Sequence, residues 1–164
     1  MNTLGKTVVA IGVSIVIILA LIFSRDVGAP FGYKGDGFGT PQEAIEDGVG
    51  ASYSFESEIG KVEFDDGIIY VCKSMDNHVI LSYMFRNRQQ TKYYLESYYV
   101  VNNLKEAEWH TSKNKTKTNY KLTDGETIIN ECDNMPVQVE DYSVTLNKTE
   151  VALKLYYNRA EGKK

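Results

Sequence analysis

Residues 61–74 read KVEFDDGIIYVCKS, and this stretch decides the fold class. Val62 and Phe64 alternate with charged residues, an Asp66-Gly67 pair interrupts them, and Ile69 and Val71 resume the alternation. Apolar residues two apart mark a strand with one buried face. An Asp-Gly pair between two such runs marks a β-hairpin. The adjacent carboxylates Asp65 and Asp66 could suggest acid/base chemistry, but the turn accounts for them more simply.

Working outward from the hairpin, the chain continues in the same style. HVILSYMFRNR and KYYLESYYVV are two long β-rich runs on either side of a turn at 87–90. AEWHTS and TNYKLTDGETIINE follow, the second with an Asp124-Gly125 turn. VQVEDYSVTLNKTEVALKLYYNR then alternates on both sides of a turn at 147–150, with Val144 and Leu146 before it and Val151, Leu153, Leu155 and Tyr157 after. About seven strands joined by short turns predict a mostly antiparallel sheet.

On the N-terminal side, GTPQEAIEDGVG predicts a short helix: Thr40 as cap, Pro41 at the first position, Glu43 closing a capping box, Ile45 and Val49 facing inward. The expected class is therefore α+β, a short helix packed on a curved sheet, with a small barrel or sandwich as the alternative.

Ahead of this domain lies KTVVAIGVSIVIILALIFSRD, residues 6–26. Thr7 to Ser24 carry no charge and as a helix would span roughly 27 Å, close to the ~30 Å hydrocarbon core. Lys6 and Arg25 flank it and can snorkel to the two interfaces. The stretch is apolar all round, unlike the one-sided helix of a soluble core. Its length exceeds the usual signal-peptide core, and Ile22 before Ser24 is a poor cleavage match. Val27-Gly28-Ala29 fits better but is followed by Pro30. A retained transmembrane anchor is therefore expected, with residues 1–6 cytoplasmic and the domain outside. Residues 25–39, with five glycines, read as a linker and lack the Lys-Ser/Thr of a phosphate-binding loop. The extracytoplasmic domain is expected at 40–160 and a solvated tail at 161–164, with RAEGKK at the end taken as solvated.

The 164 residues carry a formal charge of −4, which gives no basic footprint for nucleic acid. No nucleotide, zinc or serine-nucleophile motif is present, so the sequence calls for no cofactor and favours a non-enzymatic role. Cys72 and Cys132 could pair outside the membrane, or be two buried thiols. Glu106, Glu108 and His110 share one strand face in EAEWH and are the candidates for a metal or acid/base site. The simpler view has Trp109 anchoring the core and the trio facing water, with Lys113, Lys115 and Lys117 able to neutralise it. His78, with Asp76 beside it, reads as a turn histidine.

Tyrosine stands out, with twelve in the chain. In KYYLESYYV, strict alternation puts Tyr93, Leu95 and Tyr99 on one face and Tyr94, Tyr98 and Val100 on the other. Tyr93, Tyr94, Tyr98 and Tyr99 are the candidate binding residues, since tyrosine joins an apolar ring to a wet hydroxyl. It is also simply a strong strand former.

The run GFGTPQEAIEDGV, placed between an apolar segment and a β-rich domain with one tryptophan, resembles small extracytoplasmic proteins of Gram-positive bacteria with no assigned function. The resemblance covers about a dozen residues and the layout. It implies a cell-envelope location and transfers no site residues. The functional expectation is a membrane-anchored module that binds a protein, peptide or envelope polymer. The rivals are a small enzyme built on Glu106, Glu108 and His110, and a structural or assembly protein.

Overall fold

A computed structural model describes residues 37–49, 53–87, 89–101, 107–113, 116–132 and 135–161. Thr7–Ser24, with Lys6 and Arg25, lies outside them. Among the described residues no helix is long and apolar enough to cross a membrane.

The fold is mostly antiparallel strands with one short helix, α1 (Pro41–Val49). The cap forms as the sequence predicts: Thr40 Oγ1 accepts the Glu43 N–H at 3.2 Å. Glu43 reaches back one residue further than an ordinary capping box, accepting the Gly39 N–H at 2.9 Å. The chain is already held before the helix, because Phe38 and Tyr93 exchange backbone hydrogen bonds of 2.9 and 2.8 Å.

Strands β1 (Phe55–Phe64), β2 (Gly67–Ser74), β3 (Val79–Arg86) and β4 (Tyr93–Val101) pair in chain order. Strands β5 (Ala107–Lys113), β6 (Thr116–Asp124), β9 (Gln138–Leu146) and β10 (Thr149–Glu161) form a second sheet in the order β5-β6-β10-β9. Two-residue strands β7 (Glu131–Cys132) and β8 (Met135–Pro136) pair beside it. The expected single curved sheet of about seven strands is thus eight strands in two four-stranded sheets.

The reason lies in the core. Leu81, Val71 and Tyr83 of the first sheet share one apolar cluster with Leu122, Leu153 and Leu155 of the second. On the other face of the first sheet, Ile68, Tyr70, Cys72, Ile80 and Met84 pack under Ala44, Ile45 and Val49 of α1. Strands β2 and β3 are therefore covered on both faces, which a single open sheet beside one short helix could not achieve.

Two local readings change. The hairpin loop is Asp65-Asp66, and Gly67 opens β2 opposite Phe64. Gly67 is required by packing: a Cβ there would stand 2.5 Å from the Tyr83 hydroxyl and 2.8 Å from the Met84 carbonyl oxygen. In β4, Leu95 pairs with Met84 and Ser97 with Tyr83, which leaves Glu96 as a bulge. The bulge reverses the alternation. Tyr93, Leu95, Tyr98 and Val100 then share the helix face, while Tyr94, Ser97, Tyr99 and Val101 share the inner one.

The sheets also meet at one seam. Tyr142 of β9 lies over Gly60 of β1, where a Cβ would come 2.1 Å from its ring, and donates a 3.3 Å hydrogen bond to the Lys61 carbonyl.

Candidate functional site

The β9–β10 hairpin turns through Asn147 and Lys148, both at positive φ (49° and 68°), which suits the twist of a two-residue connection. From that turn β9 stays paired with β10 back to the Gln138–Tyr157 pair. Beyond it β10 continues in pairing with β6 as far as Glu161 opposite Thr116. In register, the next residues of the departing chain would be Val137 and Pro136. Proline has no N–H to give a ladder, and the Val137 N–H turns instead to the Asn130 carbonyl at 3.3 Å.

The notch left behind is a cleft of about 280 Å³, lined by Phe64, Met135, Pro136, Gln138, Tyr157, Asn158 and Arg159. Its wall is a stack. The Arg159 guanidinium lies 4.7 Å from the centre of the Phe64 ring, and Phe64 meets Tyr157 edge-on at 6.0 Å. Arg159 Nη2 donates to Asp66 Oδ1 at 2.6 Å, with both side chains partly exposed. The turn carboxylate thus anchors the far end of the chain. Burial raises the Tyr157 hydroxyl pKa, with Glu140 adding to it. Burial likewise pushes the Tyr83 hydroxyl up to about 12, with Asp66 raising it and Arg159 opposing. Both phenols therefore stay protonated at neutral pH. An apolar floor beside an ion pair that offers both donors and an acceptor is suited to holding a ligand by shape and hydrogen bonding.

The residues singled out from sequence fall elsewhere. Tyr94 is buried between the sheets at 2 % exposure. Tyr93 is half-buried, with the Arg86 guanidinium 5.4 Å from its ring centre. Tyr98 and Tyr99 are each 40 % exposed, on opposite faces of the edge strand, and the bulge swaps the face that each one joins. Glu108 and His110 stand on β5 opposite Lys121 and Asn119 in backbone register. Their side chains, and all of Glu106, lie outside the described residues. Among the described residues no three of His, Cys, Asp and Glu come together to hold a metal ion. Cys72 is a free, fully buried thiol under α1, pushed up to about 12 by burial and then by Glu58; the side chain of Cys132 lies outside the described residues. His78 sits at a turn, its N–H donated to Ser74 Oγ at 3.1 Å and its ring edge-on to Tyr53 at 5.5 Å.

Sequence reasoning missed Arg159, Tyr157 and Phe64 as neighbours. RAEGKK read as a solvated end, yet β10 carries Arg159 into the seam. The one available signal was that Tyr157 and Arg159 continue the inward alternation of Leu153 and Leu155.

The chain matches no family model, no curated protein and no solved structure.

Proposed function

We propose that the chain is a single-pass, membrane-tethered module of the cell envelope. Thr7–Ser24 stays in the lipid, the N-terminus faces the cytoplasm, and the α/β/β domain is displayed outside to bind a protein, peptide or envelope polymer. The uncharged length of the N-terminal stretch supports the tether. The single observation that carries the binding role is the cleft beside β10, where an apolar floor and the Arg159–Asp66 pair converge. Two surfaces of the domain are thereby distinguished: a notch that can accept a ligand and an edge strand, β4, with two half-exposed tyrosines.

Two measurements test the proposal. Protease added to intact cells should remove an epitope placed after Lys164; full protection of the epitope sinks the topology. Affinity recovery of the tethered chain from its native membrane should retain a specific partner. Recovery of none sinks the binding role.

A further inference from the structure

We infer that the end of the domain where the chain enters it docks on anionic lipid headgroups, with the acidic remainder turned away from the membrane. This rests on the tether and adds how the tethered domain stands. Contacts between the sheets define the two ends. At one, Arg159 Nη2 donates to Asp66 Oδ1 at 2.6 Å, and the Arg86 N–H donates to the Asp66 carbonyl at 2.9 Å. At the other, the Asn147 N–H donates to Asn77 Oδ1 at 3.3 Å. Tyr93 stands opposite Arg86 and exchanges two backbone hydrogen bonds with Phe38, so the chain enters at the Asp66–Arg159 end. From Arg25 to Gly37 it can span at most about 40 Å. The eight-residue strands β2 and β3 separate the two ends by roughly 25 Å.

Charge follows the same axis. The segments at the entry end, 63–67, 86–93, 113–117, 131–137 and 159–164, hold nine Lys and Arg against six Asp and Glu. Register gathers them: Lys113 pairs with Thr116, Lys117 with Ala160 and Glu161 with Thr116, while Met135 and Pro136 line the cleft with Arg159. Arg88, Lys115, Lys163 and Lys164 are assigned to this end by their place in the chain. Two of the acids are matched within the set, Asp66 by Arg159 and Glu63 by Arg86. The rest of 37–164 holds six Lys and Arg against fourteen Asp and Glu, among them Glu43, Glu46 and Asp47 of α1 on the helix face of the first sheet. An anionic surface therefore repels most of the domain and attracts this end. Basic segments feel that attraction within a Debye length of about 10 Å. The tether supplies proximity and the charge supplies direction. Positive charge spread over several segments matches an extended surface better than a single phosphate.

The test places the full chain in lipid nanodiscs of phosphatidylcholine alone, or of equal parts phosphatidylcholine and phosphatidylglycerol, and reads hydrogen exchange by mass spectrometry. Amides at 65–67 and 89–92 should exchange more slowly on the anionic discs. Those at 75–78 and 147–148 should not change, and high salt should remove the difference. Arg88→Gln and Lys115→Gln, both in connections between strands, should each cut the added protection about fivefold with an unchanged circular dichroism spectrum. Lys148→Gln, at the far end, should leave it as in the parent. The inference is overturned if lipid charge makes no difference, if both ends are protected alike, if the effect survives high salt, or if Lys148→Gln matters as much as Arg88→Gln. It is also overturned if soluble polyglycerol phosphate gives the same protection on phosphatidylcholine discs, since the partner is then a polymer. A chain that co-elutes with the discs but ignores their charge defeats this inference alone; a chain that does not co-elute defeats the tether as well.

Discussion

The two sheets of this sandwich are built on different terms. Every residue of β2 and β3 is buried except Lys73 and Arg86, which are half-buried. In β9 only Val144 is fully buried, and six of its nine residues are exposed. The first sheet lies between a helix and a second sheet, so the side chains of its two central strands meet protein whichever way they point. The outer strand of the second sheet faces water on one side and keeps the alternation that such exposure imposes. Covered on two faces, a strand loses its period-two pattern; covered on one, it displays it.

The largest test of that contrast compares Ile80 on the helix face of β3, 0 % exposed, with Val139 on β9, 46 % exposed. Ile80→Ala should cost about 2–5 kcal/mol in chemical denaturation, and Val139→Ala should stay within about 0.5 kcal/mol of the parent. A small loss at Ile80 would mean that α1 does not seal that face.

The seam comes next. Gly60→Ala forces a methyl group into the Tyr142 ring, and overpacking of this kind costs about 1–3 kcal/mol. The double variant Gly60→Ala/Tyr142→Ala should recover part of that loss, since the ring is the obstacle; no recovery would place the strain elsewhere.

The smallest effect concerns pH. An unfolded thiol loses its proton near 8.5, whereas Cys72 in the fold is pushed up to about 12. Between these values the unfolded state binds fewer protons than the native one, so stability falls as pH rises, by about 2 kcal/mol at pH 10. Thermal melts between pH 8 and 10 should show this slope, and Cys72→Ala should flatten it. An identical slope in the variant would assign the effect to other groups. In the same pH range the thiol should resist iodoacetamide until the protein unfolds.

Local rules carried far where each partner was a near neighbour in the chain. Thr40 and Glu43, three residues apart, cap α1, and the hairpins at 61–74 and 142–157 need only their own alternation and turn. They failed where a partner was distant. The Glu96 bulge follows from how β4 sits on β3 and leaves no mark in KYYLESYYV. Asp66 reads as an ordinary turn residue because its partner, Arg159, stands 93 positions away.

Alternation, capping and turn chemistry are properties of a few adjacent residues, and from them the sequence by itself determined that the described part of the chain is mostly antiparallel strands with one short helix at Pro41–Val49. The division into two sheets, the reversal along β4 and the cleft at the end of β10 depended on contacts between segments far apart. Packing is decided by which surfaces can be covered at once, and that is settled only when the whole chain is in place.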